Sequence, residues 1–385
     1  MHLPPEILDQ IFQYISIGYR GQLDHWSFCL VSRSWYASAI KRLYHSPSII
    51  GKNFDAFSRT LCPSVNASIR RTELALFVYR LDMSRLVYNG SKSLTARVLG
   101  RVKGQLEVFI APAATFSLLA FSALAKCVNL RTLNLEYVIE RIDAVLLLRT
   151  VEKLHNLHAL SLRTAWAASI TGSKKEDVLD FPASLRQLSI TGVCEPDGEI
   201  LLYGAMGRSK IHTLSIMLGG TELQALSRAV FMLNQKLKRL HLDISARTTT
   251  SDANLILLVP DLLYHCHVLE ELSIPLVCFS NVFFITSGLA PDHVYNLRQL
   301  TIHQTQMEVI EPLFYSNEWE QLVANIVSGH LQYLEEVVIE DEKDVRKLKE
   351  LESERPDCLG ELHDALFDLK IEGSGLFLAG REYEG

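Results

Sequence analysis

A chain of 385 residues, 48% hydrophobic and 21% charged, has the composition of a folded protein rather than a disordered one. Its formal net charge of −6 argues against non-specific nucleic-acid binding. No stretch approaches the roughly 18 uninterrupted apolar residues of a membrane span, and the N-terminus lacks a basic region followed by an apolar run, so neither a span nor a secretory signal is expected.

The first fifty residues predict three short helices. Pro4 and Pro5 suit a helix start, where backbone donors are unpaired in any case. Glu6 places negative charge at the positive end of the helix dipole. Ile7, Leu8, Ile11, Phe12 and Ile15 recur at helical spacing, and Gly18 and Gly21 are expected to stop that helix. A second helix is expected over 24–30. Ser32 is suited to cap a third, carrying Trp35, Ala39, Ile40 and Leu43. Fifty residues bury little, and Leu3, Pro4, Leu30 and Trp35 are more apolar surface than such a unit can hide.

Leu3-Pro4-Pro5-Glu6-Ile7-Leu8, the pair Ile11-Phe12, and Leu30-Val31-Ser32-Arg33-Ser34-Trp35-Tyr36 together resemble the F-box in its fungal form, over about residues 2–48. The Ser16–Asp24 connection is a few residues longer than that family usually has. The resemblance implies docking on the Skp-family adaptor of a cullin-RING ubiquitin ligase. Carried over by position, the adaptor-facing residues are Leu3, Pro4, Ile7, Leu30, Val31 and Trp35.

Residues 49–126 form a transition, with strands expected over 72–81 and 106–110 and a helix within 84–102. A repeat then emerges: an apolar residue, two others, an apolar residue, one other, an apolar residue. It begins at Leu130, Leu157, Leu185, Ile211, Leu237, Leu269, Leu297 and Leu334, a mean step of about 29 residues. Each unit predicts a short strand. The intervals 139–154, 222–233 and 254–264 have helical periodicity. A strand and a helix bury nothing alone, but a stack of them does. Leu133, Leu160, Leu188, Leu214, Leu240, Leu272 and Leu300 are expected to form one core row.

Eight such units after an F-box resemble the F-box proteins with leucine-rich repeats. The implied fold is α/β: an N-terminal three-helix F-box (1–48), a transition with the first irregular repeats (49–126), and an irregular solenoid (127–342), a horseshoe with a parallel concave sheet. The regular repeat carries Asn or Cys three residues after its last apolar position. Here Val138, Ala165, Val193, Gly219, Ser245, Val277, Thr305 and Glu342 stand there, so the side-chain ladder that stiffens the turns is expected to be missing, with long loops near 166–182, 244–252 and 305–319. Residues 340–385 hold fourteen acidic and seven basic residues, net −7. This tail is either a cap, with the segment 362–371 folding back over the apolar end while 341–354 stays solvated, or a detachable acidic arm.

No nucleophile elbow, phosphate-binding loop or His-Glu-x-x-His helix is present, so no catalytic residue, metal ligand or cofactor is assigned. His265-Cys266-His267 is the densest His/Cys cluster, but consecutive residues diverge and cannot share one metal. Seven cysteines without a Cys-x-x-Cys pair read as reduced thiols of an intracellular protein, cytoplasmic or nuclear. Trp166 serves either to anchor a partner or to pack. Strand alternation collects the polar positions on one sheet face, where Arg163, Arg239, His241, Asp243 and His303 are best suited to discriminate a ligand; the other reading is a solvated face. The implied function is a non-catalytic substrate receptor, joined through the adaptor to a cullin and holding a protein substrate, with neither nucleic acid nor membrane as partner. The alternative is a Skp-binding scaffold without a role in ubiquitination.

Overall fold

Helices α1 (Pro5–Gln13), α2 (Tyr19–Cys29) and α3 (Arg33–His45) open the fold in the computed structural model. The structure describes residues 4–15, 19–51, 53–63, 73–86, 92–163, 166–167, 179–191, 204–218, 230–244, 266–275, 294–303, 316–340, 358–369, 371, 375–378 and 381–382. Pro5 occupies the first turn of α1, and Leu8 and Phe12 point inward. Ser32 caps α3, its hydroxyl accepting the Trp35 N–H at 3.3 Å. The second helix starts five residues earlier than expected (24 − 19 = 5), so Gly21 lies within α2 instead of stopping α1. Glycine costs a helix about 1 kcal/mol. Here that turn is held from outside, since the neighbouring Gln22 carboxamide oxygen accepts the Ser48 N–H at 3.0 Å.

The chain forms two compact units, Met1–Leu185 with Cys194–Ser209, and Arg186–Val193 with Lys210–Gly385. In the first, α4 (Asn53–Leu61) follows the helical module. The strand expected over 72–81 is a 3-10 turn (Glu73–Phe77) and a short strand, β1 (Arg80–Asp82). A three-residue period also turns Ala75 and Val78 inward, and both are buried. Then come α5 (Lys92–Val102), β2 (Val108–Ile110), α6 (Leu118–Leu124) and β3 (Thr132–Leu135). After β4 (Ile142–Asp143), the helix expected from 139 starts at 144 as α7 (Ala144–Val151). Its start is set by Asp143, whose carboxylate accepts the N–H groups of Val145 and Leu146. β5 (Ala159–Arg163) and β6 (Trp166–Ala167) complete the unit's strands among the described residues.

β1, β2, β3 and β5 pair in parallel, and β4 pairs with β6 apart from them. Register aligns Leu81, Phe109, Leu133 and Leu160 in one buried row. Two repeats therefore precede the eight counted from Leu130, within the transition expected to hold the first irregular repeats. Val78, Leu81 and Met83, then Leu106, Phe109 and Ala111, follow the same spacing, and all six are buried.

The second unit stacks β7 (Gln187–Thr191), β8 (Thr213–Leu218), β9 (Arg239–Ile244), β10 (Glu271–Pro275), β11 (Gln299–His303) and β12 (Glu336–Ile339) in parallel. Leu188, Leu214, Leu240, Leu272, Leu300 and Val337 align in one row. α8 (Ser316–Val327) precedes β12. The expected helices 222–233, except its last residues, and 254–264 lie outside the described residues.

The tail adds another rung. α9 (Cys358–Asp368) packs Leu362 and Leu366 inward against α8, and β13 (Gly375–Leu378) joins β12 in parallel, extending the row with Leu376. β14 (Arg381–Glu382) turns back antiparallel on β13. α9 thus covers the side of α8, and the segment also continues the repeat, because a helix with two buried leucines followed by alternating Leu376 and Leu378 is itself a repeat. Residues 341–354 lie outside the described residues.

The turns have a side-chain ladder after all, at a different position. The residue just before the first apolar position reaches back to the preceding turn: Asn129 Nδ2 to the Gly104 carbonyl at 2.7 Å, Asn156 Nδ2 to Val128 at 2.9 Å, Ser184 Oγ to Leu157 at 2.7 Å, and Asn296 Nδ2 to His267 at 2.6 Å. Each bond satisfies a turn carbonyl that the strands leave unpaired.

Candidate interaction surfaces

In the helical module, Leu8, Phe12 and Ala39 are fully buried, with Ile15, Phe28, Cys29 and Trp35 packed against them. That small core leaves apolar groups outside. Ile7 and Ile11 are 41% and 43% exposed on the outer side of α1. Leu30 and Val31, at 68% and 59%, form the turn between α2 and α3. Their N–H groups bond the Ser27 and Phe28 carbonyls, so the turn is rigid while its side chains face solvent. Pro4 is exposed; Leu3 lies outside the described residues. Trp35 differs from the other expected contact residues. It is half-buried, and its ring meets Phe12 and Phe28 edge-on at 5.6 and 5.3 Å. Ile11 belongs to the helix stripe and the motif pair but not to the expected contact residues. Its exposure, one turn from Ile7, shows only once the module is packed.

The module is fastened to the first repeat. Tyr79 N–H donates to the His45 carbonyl at 3.1 Å, the two rings lie 4.9 Å apart, and Ser48 bridges Asp82. Burial, with Arg42 adding to it, holds the His45 imidazole below its usual pKa. A cavity of about 480 Å3 opens among α2, α3 and α4, walled by Trp26, Tyr44 and Phe57. Its polar wall groups Gln22 and Asn53 are taken up by the backbone of residues 48–50.

On the polar sheet face the five expected residues divide between the units. Arg163 is exposed at the end of β5 in the first. The other four lie in the second. Arg239 pairs with Glu271 across one rung at 2.9 Å. His241 and His303 both meet one hydroxyl: Ser273 Oγ is 2.8 Å from His241 Nδ1 and 3.2 Å from His303 Nδ1. The rings stack at 4.9 Å with 20° between their planes. His303 is only 7% exposed. Its Nε2 makes no hydrogen bond and lies 3.9 Å from Asp243 Oδ1. Burial, and then the neighbouring His241, push its pKa down, against the pull of Asp243 and Glu340. The role of Ser273 as a bridge was not legible: only register places its strand between the two histidines.

Among the described residues no group of His, Cys, Asp and Glu is arranged to hold a metal ion, and no helix is long and apolar enough to cross a membrane. Cys29, Cys62, Cys127 and Cys266 are free thiols, and burial pushes Cys127 and Cys266 up to about 12, so they are protonated at neutral pH.

No family model matches the chain. It is similar to F-box protein YDR306C of Saccharomyces cerevisiae, 27% identical over 205 residues, covering 50% of this chain and 41% of that protein. It is also similar to Protein pof5 of Schizosaccharomyces pombe, 25% identical over 207 residues, covering 49% of this chain and 57% of the relative. The chain thus spans about half the length of these relatives. A leucine-rich repeat-containing protein, LegL7 of Legionella pneumophila, superposes over 69% of this chain and 84% of its own at a TM-score of 0.40 and 13% identity. A helical module with the fungal motif residues, the stacked strand-and-helix repeats and these relatives together are consistent with a fungal-type F-box protein with leucine-rich repeats.

Proposed function

We propose that this chain is the substrate-recruiting subunit of a cullin-RING ubiquitin ligase, with its helical module docked on a Skp-family adaptor and its repeats holding a protein substrate inside the cell. One observation carries the reading: an apolar surface of Pro4, Ile7, Ile11, Leu30 and Val31 left open on a rigid module whose own core is very small. Exposed apolar groups of this kind, rimmed by polar residues, mark protein contact sites. Leu30 and Val31 are the anchors; Trp35 supports them from below through Phe28. In this reading the chain contributes proximity, since tethering a substrate raises its effective concentration at the conjugating enzyme. The fastening of the module to β1 supports it, because a rigid joint limits the distances over which the substrate is held.

The test is co-purification with a Skp-family adaptor. Pro4→Ala combined with Leu30→Ala should abolish adaptor binding while circular dichroism and melting temperature stay as in the parent. Undiminished binding would overturn the assignment. A reconstituted ubiquitination assay separates the ligase role from an adaptor-bound scaffold.

A further inference from the structure

We infer that the cavity among α2, α3 and α4 is a binding site for a small, flat aromatic compound bearing a carboxylate or carboxamide. The inference goes beyond the receptor reading and does not depend on it. Its first ground is the apolar wall. All three helices belong to the first unit, and the cavity of about 480 Å3 that opens among them has the size of a small-molecule site. Two of its lining residues on α2 remain open to solvent, Trp26 at 56% and Leu23 at 46%. An indole is a large apolar surface to leave in water. Tyr44 of α3 and Phe57 of α4 stack on each other at 6.2 Å with 22° between their planes, whereas Trp26 stacks on no ring among the described residues. A flat aromatic group entering beside Trp26 supplies the ring contact that such faces favour.

The second ground is the polar lining, which selects the ligand's functional group. The Gln22 carboxamide oxygen accepts the Ser48 N–H at 3.0 Å, and the Asn53 oxygen accepts the Ile50 N–H at 2.7 Å. Backbone donors thus hold both oxygens, so what these two side chains can offer a ligand is N–H. Asn53 gives one of its two N–H groups to the Ser48 carbonyl at 2.7 Å, and Gln22 brings two more. Both residues line the cavity. A lining that offers donors suits an acceptor: a carboxylate or carbonyl oxygen has lone pairs for them, whereas an ammonium brings only further donors. Because the backbone of residues 48–50 fixes the two carboxamides, little freedom is lost when they engage a ligand.

The test uses the full chain and isothermal titration calorimetry. Naphthalene-2-carboxylate and naphthalene-2-carboxamide should bind with a Kd of about 1 mM or tighter, ordinary for ligands of about a dozen heavy atoms. Two comparison compounds should bind about tenfold more weakly or worse. One is 2-(aminomethyl)naphthalene, the same ring with a cation in place of the acceptor; the other is cyclohexanecarboxylate, the acceptor without a flat ring. Gln22→Glu keeps an oxygen for the Ser48 N–H but removes both donors, so it should weaken the carboxylate about tenfold or more. The carboxamide, whose own N–H can meet the new carboxylate, should weaken less. Trp26→Ala should abolish binding. Ala56→Trp, which fills the cavity from an exposed position on α4, should abolish it at an unchanged melting temperature. Phe367→Ala, which truncates a 72% exposed ring in the second unit, should leave binding as in the parent. Equal losses in Trp26→Ala and Phe367→Ala, or equal binding of all four compounds, would reduce the effect to general adhesion and overturn the inference. So would failure of both naphthalene acceptors to bind. Displacement of the carboxylate by a Skp-family adaptor would overturn it too, by giving the cavity to an adaptor side chain, whereas simultaneous binding of both supports a separate ligand site.

Discussion

At the scale of single residues, the contrast between Leu30 and Trp35 separates contact from support. Both belong to the motif that resembles the F-box, yet Leu30 is 68% exposed and Trp35 packs on two phenylalanines. Leu30→Ala should therefore change stability by less than about 0.5 kcal/mol, as surface substitutions do. Trp35→Ala should cost about 2–4 kcal/mol, toward the lower part of the range for large aromatic truncations because the ring is only half-buried. Urea denaturation measures both. Histidines act in the other direction. His303, His212 and His45 are all held below the ordinary value of 6.5, chiefly by burial. The unfolded chain then binds protons that the folded chain refuses, so their contribution to stability is complete above pH 6.5 and is lost as pH falls below it. Melting temperature should drop between about pH 7.5 and 5.5, and less steeply in His303→Phe.

At the scale of elements, a rung is only as stable as its row. Leu240 is 2% exposed and faces Leu214 and Leu272 on either side. Truncation to alanine should cost about 2–5 kcal/mol, whereas His241→Ala, one residue along on the other face, should cost under about 1 kcal/mol for an exposed side chain with one hydrogen bond. The terminal rung matters more than its acidic composition implies. Deletion after Glu340 removes α9 and β13, baring the edge of β12 and the side of α8 that Leu362 and Leu366 cover. Open strand edges template association. The truncated chain should melt lower and elute as aggregates in size-exclusion chromatography; a monomer with the parent melting temperature would show that α9 and β13 are dispensable.

For the molecule as a whole, the helical module is not an independent domain in energetic terms. Its core consists of Leu8, Phe12 and Ala39 with partly buried neighbours, and its last helix is tied to β1. Units of about fifty residues bury too small a fraction of their surface to be more than marginal. A fragment of residues 1–48 should show weak helicity by circular dichroism without a cooperative melt, and bound adaptor should restore one by mass action. In the complete chain the first repeats supply that support.

Much of this was determined by sequence alone. The repeat spacing specified parallel rungs and their core row, because residues that alternate on a strand and recur at a constant step can bury themselves only by stacking in register. The fungal F-box motif likewise located the helical module. Only tertiary structure decided the rest. Val78 and Leu106 begin repeats, but their strands are three residues long and their spacing becomes legible only when they pair. The apolar residues of the tail were expected to close the stack, but that α9 leads into a further rung shows only once β13 pairs with β12. The turn ladder at Asn129, Asn156, Ser184 and Asn296 depends on carbonyls of the preceding turn, about thirty residues back in sequence, where no local pattern reaches. The same holds for the histidine pair. His241 and His303 are far apart along the chain, and register alone sets Ser273 between them and Asp243 beside the buried ring.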